Sequence, residues 1–118
     1  MISVIVEMNH NKHLSEPWFT LVSLGLKIVE GRLCRGNILD IKIGDTVTFY
    51  NKDIFNREHT VTVSKVTKYS SFKGYLDTEG LSNCLPGIDT VEDGLSVYYK
   101  YFNKIDERQY GVIAINFT

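Results

Sequence analysis

Three side chains of complementary chemistry, Lys27, Glu30 and Arg32, fall within six positions, just after a glycine at position 25. Arg32 offers a planar fork of donors suited to a phosphate or a base edge, and Glu30 an acceptor for an amino or hydroxyl group. Lys27 supplies a point charge, or a base where desolvation lowers its pKa. Strict alternation along a strand puts Glu30 and Arg32 on one face and Lys27 on the other. Convergence therefore requires Lys27 to lie in the turn ahead of the regular strand, which Gly25 permits. The plainer alternative is a Glu30–Arg32 ion pair that fastens a strand. Trp18, the single tryptophan, precedes this group by a few residues. Its ring either stacks on a base or packs into the core.

The other candidates are weaker. His10 and His13 have a spacing that binds metal on a helix, but they fall in an expected loop without a third ligand, so no metal site is predicted. His59 reads as an ordinary strand residue. Cys34 and Cys84 stand fifty positions apart with no Cys-x-x-Cys pattern, which points to reduced thiols rather than a disulfide scaffold or zinc. Lys65, Lys68, Tyr69, Phe72, Lys73 and Tyr75 interleave cations with aromatics. That pattern suits either a nucleic-acid track or a solvated strand edge with its aromatics turned inward. Ile54 and Phe55 mark an apolar loop tip, either folded back or offered to a partner.

The totals bound what these residues can serve. A chain of 118 residues, 43% of them hydrophobic, has the size of one domain spanning 1–118. The start Met1-Ile2-Ser3-Val4-Ile5-Val6-Glu7 lacks a basic region before an apolar one, and no run reaches membrane-spanning length, so an intracellular protein, cytoplasmic or nuclear, is expected. A net charge of −1 argues against holding nucleic acid by bulk electrostatics alone. The charge is uneven, however: ten Lys/Arg against seven Asp/Glu through residue 75, then three against seven. A basic face with an acidic back follows, and the acidic C-terminal half is a candidate surface for a protein partner.

The elements that must position the site read as follows. Ile2 to Met8 is expected as an edge strand and Asn9 to His13 as a loop. Ser15-Glu16-Pro17 opens a helix, with Pro17 at its first position and Trp18, Leu21 and Val22 on one face. Gly25 ends it, and an extended segment runs from Lys27 to about Leu33. Gly44-Asp45 turns into a strand over Thr46 to Tyr50, and Asn51 to Asn56 is a loop. Glu58 to Tyr69 is a long strand whose apolar phase shifts between Val63 and Val66, as at a β-bulge. A helix over Phe72 to Glu79 is closed by Gly80, and Thr90 caps a third along Val91, Leu95, Tyr98 and Phe102 with Gly94 permitting close packing. Gly111 to Phe117, apolar on both faces, is a central strand. About five clustered strands and about three short helices predict an α+β domain built on a small, partly closed β-barrel.

Several of these blocks together resemble the ASCH domain, a branch of the PUA-like superfamily. Gly25-Leu26-Lys27-Ile28-Val29-Glu30-Gly31-Arg32 fits the family pattern G-x-K-x-x-E-x-R and follows a Glu16-Pro17-Trp18-Phe19 helix. Ile41-Lys42-Ile43-Gly44-Asp45 and Tyr110-Gly111-Val112-Ile113-Ala114-Ile115 look like later family blocks. Tyr69-Ser70-Ser71-Phe72, Glu79-Gly80-Leu81 and Leu85-Pro86-Gly87 look like its middle region. The resemblance implies a PUA-like barrel with a cleft against the first helix, lined by Lys27, Glu30 and Arg32 and used on RNA or a modified nucleoside; with Trp18 and Gly25 beside them, these are the candidate ligand-binding residues. It implies no cofactor. Some relatives are amidohydrolases that deacylate N4-acetylcytidine, and others are associated with ribonuclease action. A hydrolase would use Lys27 and Glu30 as its catalytic pair. The deacylating relatives carry a threonine nucleophile where this chain has Glu30, and a carboxylate does not replace that hydroxyl.

Overall fold

The computed structural model describes residues 7–118. Five strands form one sheet: β1 (Asn9–His13), β2 (Val29–Leu33), β3 (Thr46–Asn51), β4 (Arg57–Tyr69) and β5 (Val112–Phe117), in the order β1-β3-β4-β5-β2. All neighbours are antiparallel except β1 and β3. The 13-residue β4 belongs to both halves of the sheet: its first part pairs with β3 and its last with β5. The register shifts between Val63 and Lys65, where the phase change in the sequence calls for a bulge, and a bulge bends and twists the strand that carries it. The sheet therefore curls, yet no backbone ladder joins its edge strands β1 and β2. A side chain spans that seam: Arg32 of β2 donates from Nη2 to the carbonyl of His13 in β1 at 2.6 Å. The partly closed barrel of the sequence reading takes this form.

β5 lies between β4 and β2, and Val112, Ile113, Ala114 and Ile115 are all at most 2% exposed, so both of its faces are covered. On one side α2 (Phe72–Glu79) and α4 (Val91–Tyr98) supply Phe72, Tyr75, Leu76 and Tyr98 to the core. Phe72 stacks on Tyr98 at 4.6 Å between ring centroids and on Phe102 at 5.4 Å. A side chain at Gly94 of α4 would meet Leu81, Leu76 and Leu85 at 3.0 to 3.3 Å, so the close approach of this helix depends on the missing Cβ.

Several expectations change. The strand foreseen over Ile2 to Met8 lies mostly outside the described residues, and Glu7 and Met8 are not in a strand. The predicted loop at Asn9–His13 is instead β1. Its pattern is too polar to signal a strand, but parallel pairing with β3 satisfies its backbone. Asn9 accepts from the hydroxyls of Thr46 (2.7 Å) and Thr48 (3.1 Å). Pro17 precedes α1 (Trp18–Ser23) rather than opening it, and the Glu16 carboxylate accepts from the Thr20 N–H at 2.8 Å. Two short helices escape the sequence reading, α3 (Leu81–Cys84) and α5 (Lys104–Tyr110). Four and seven residues are too few for a periodic apolar stripe. No helix among the described residues is long and apolar enough to cross a membrane.

Candidate functional site

The geometry of the site begins at the end of α1. Gly25 has φ +75°, and the N–H groups of Gly25 and Leu26 bond back to the carbonyls of Val22 (3.0 Å) and Leu21 (2.9 Å). This 5→2 and 6→1 pair of bonds is a Schellman closure, which a left-handed glycine allows at no steric cost. The Lys27 N–H also bonds to Leu21 O, and regular pairing begins only at Val29. Lys27 is therefore in the turn, as convergence with Glu30 and Arg32 requires.

Lys27 is 1% exposed, and its ammonium reaches three oxygens: Val29 O at 2.6 Å, Cys84 O at 2.5 Å and Glu30 Oε1 at 3.3 Å. Three donors meet three acceptors, which fastens the α1–β2 turn to the end of α3. Glu30, 7% exposed, accepts on its other oxygen from Arg32 Nε (3.1 Å) and Nη2 (3.0 Å). Burial opposes ionisation of Glu30, but the charges and hydrogen bonds of Lys27 and Arg32 outweigh it and hold the carboxyl below its ordinary range. Arg32 keeps a quarter of its side chain exposed, and its Nη1 makes no hydrogen bond among the described residues.

A cavity of about 230 Å³ opens over this triad. Lys27, Glu30, Gly31 and Arg32 line one side, Trp18 and the His13–Ser15 segment another, and Leu85, Val97, Tyr98, Tyr101 and Phe102 the third. Trp18 is 8% exposed, so it is a core residue whose remaining surface belongs to the cavity wall. Tyr101 is 54% exposed and stands at the rim. Gly25 is exposed and does not line the cavity; its part is to set the turn. Behind the wall, the Tyr98 and Tyr75 hydroxyls are 2.8 Å apart. Burial raises the pKa of both well above the ordinary phenol value, so both hydroxyls stay neutral. Gly31 makes room for this pair, because a Cβ there would lie 2.5 Å from the Tyr75 ring.

Sequence reasoning missed the aromatic wall beyond Trp18. Tyr98 and Phe102 stood out only as a helical stripe, which reads as core packing, and Tyr101 off that stripe carried no signal. Nor does the stretch from Lys65 to Tyr75 reach the cavity: Phe72 and Tyr75 are fully buried, Tyr69 is half-buried with its hydroxyl on Glu79, and Lys65, Lys68 and Lys73 face solvent. His10 and His13 turn to different partners, Asp45 at 2.8 Å and the Tyr50 ring at 5.5 Å. Among the described residues, no three His, Cys, Asp or Glu side chains are grouped to hold a metal ion. The Cys84 thiol is pushed up to about 11 by burial, which keeps it unreactive.

Comparison with solved structures gives two close matches. The crystal structure of hypothetical protein PH0355 aligns with a TM-score of 0.83 and 35% identity over 93% of this chain and 97% of that one. The solution NMR structure of protein PF0455 from Pyrococcus furiosus aligns with a TM-score of 0.74 and 34% identity over 93% and 96%. No curated protein matches the chain. The family model of the ASCH domain matches residues 13–118, from the end of β1 through the closing strand and including the whole Lys27–Glu30–Arg32 group. The chain belongs to the ASCH domain family.

Proposed function

We propose that the cavity is a recognition site for a single planar base, presented by RNA or as a modified nucleoside. The observation that carries this reading is the pairing of an aromatic wall with a fixed polar floor. Trp18, Tyr98, Tyr101 and Phe102 line the cavity, with Tyr101 the most exposed of the four, and Glu30 and Arg32 are locked in one orientation beside them. Stacking on aromatic rings accepts any base, whereas the edge selects among them. The unused Arg32 Nη1 offers two hydrogens and the ionised Glu30 Oε1 keeps a lone pair. The floor thus suits a ring edge with an acceptor beside a donor, as an amide-type base edge has. The volume admits a base.

The alternative is hydrolysis of an acylated nucleoside or of RNA with Lys27 and Glu30 as the acid–base pair. It has less support, because an ammonium that donates to Val29, Cys84 and Glu30 has no lone pair to take a proton. Thermal-shift screening against nucleosides, including N4-acetylcytidine, and short single-stranded RNAs separates the readings when each mixture is chromatographed after incubation. Recognition gives a shift with unaltered ligand, lost in Arg32→Lys, which keeps the charge but not the fork. Ligand consumed over several turnovers, and spared in Lys27→Ala and Glu30→Gln, makes the protein a hydrolase. No shift and no consumption of any nucleoside or RNA overturns both.

A further inference from the structure

We propose that the groove between β1 and the 3-10 turn at Gly36–Asp40, bordered by Lys12 and Lys42, binds the phosphate backbone of a single-stranded nucleic acid whose base occupies the cavity. This rests on the base-recognition reading and extends it to a second site. The groove is open, about 600 Å³, and its polar lining includes Lys12, Lys42, Asn11 and Asn37. Lys12 Nζ donates to Asn37 Oδ1 at 2.5 Å, which holds the ammonium over the groove and leaves the Asn37 amide hydrogens for another acceptor. Lys42 makes no ion pair among the described residues. The one carboxylate lining the groove is Asp40. Asp45, which does not line it, is engaged by His10 and by the Met8 and Lys42 N–H groups.

The groove and the cavity both reach the end of β1. Lys12 lines the first and His13 the second, and the His13 carbonyl carries the Arg32 guanidinium. Phosphate contacts position a strand while base contacts specify it, so a phosphate site beside a base site is the arrangement a single strand needs. Burial and repulsion from Arg32 both lower the Lys12 pKa, against the opposing pull of Asp40. A phosphate beside Lys12 offsets that repulsion. A free nucleoside would use the cavity alone.

The test measures binding of a fluorescently labelled, mixed-sequence single-stranded RNA hexamer to wild type and to Lys12→Ala/Lys42→Ala across a salt series. Nucleoside thermal shifts are measured on both proteins in parallel. The expected result is RNA affinity lower on the order of tenfold at low salt, with a log–log salt slope shallower by about 0.7 for each lost contact. Nucleoside shifts stay unchanged, and Lys12→Arg/Lys42→Arg restores the RNA affinity. Equal affinity and slope in wild type and the alanine variant overturn the phosphate site while leaving the cavity reading standing. Equal loss of nucleoside binding also overturns it, because the lysines would then act through the cavity or the fold. Absence of all binding to wild type removes both.

Discussion

Replacing Lys27 by methionine removes a buried cation while keeping most of its apolar stem. Lys27 is 1% exposed and bonded to Val29 O, Cys84 O and Glu30. Removing one partner of a buried pair costs about 3–5 kcal/mol, because the other charge is left uncompensated. Arg32 still holds Glu30, which moves the expectation to the lower end. The two carbonyls that lose their donor act the other way, at about 1–3 kcal/mol for each left unpaired. A loss of about 3 to 5 kcal/mol follows, read from urea unfolding midpoints at constant m-value. The pH dependence checks the mechanism. Glu30 titrates below its unfolded value in the native protein, so its contribution is fully present above about pH 4.3 and is lost as pH falls through the native pKa. Without Lys27 that depression is smaller. The stability gap between wild type and Lys27→Met is therefore widest at neutral pH and narrows on acidification. A gap under about 1 kcal/mol, or one constant into acid, would mean that Lys27 does not hold Glu30 ionised.

Three further outcomes follow from the same geometry. Gly31→Ala drives a Cβ to 2.5 Å from the buried Tyr75 ring and lowers stability by about 1–3 kcal/mol, as other overpacked cores do; Tyr75→Leu in the same chain recovers part of it, measured by denaturant unfolding. Ultraviolet titration finds Tyr69 and Tyr99 still protonated where free tyrosine has ionised. Both are pushed up to about 12, first by burial and then by their hydrogen bonds to Glu79 and Glu107. Glu107→Gln brings the Tyr99 transition down and leaves that of Tyr69 in place. A thiol reagent modifies Cys34 in the native protein but reaches Cys84, which is fully buried, only at the rate of unfolding; mass mapping of the labelled peptides distinguishes the two.

Much of this fold is legible because its strongest signals are local. Gly80 closes α2, Thr90 caps α4 through the Asp93 N–H group, and Gly25 closes α1. The phase change in β4 falls where its partner changes from β3 to β5. What stayed hidden depends on distant partners. β1 is a strand only because β3 offers it a free edge, and its polar residues point to a loop until that edge is known. The charged floor of the site is legible from spacing and family pattern together. Its wall is not, since helical periodicity looks the same whether a side chain meets core or cavity. The Arg32–His13 bond across the seam joins residues whose nearness only the curl of the sheet creates.

The lone tryptophan lines the cavity, so its emission reports on occupancy without a label. The most direct measurement is a titration of Trp18 fluorescence with single-stranded RNA and nucleosides in wild type, Arg32→Lys and Tyr101→Ala. A saturable change is expected in wild type, weakened when the exposed Tyr101 ring is removed and abolished in Arg32→Lys. RNA binding detected by another method with Trp18 emission unchanged would contradict it, because the ligand would then lie elsewhere on the protein.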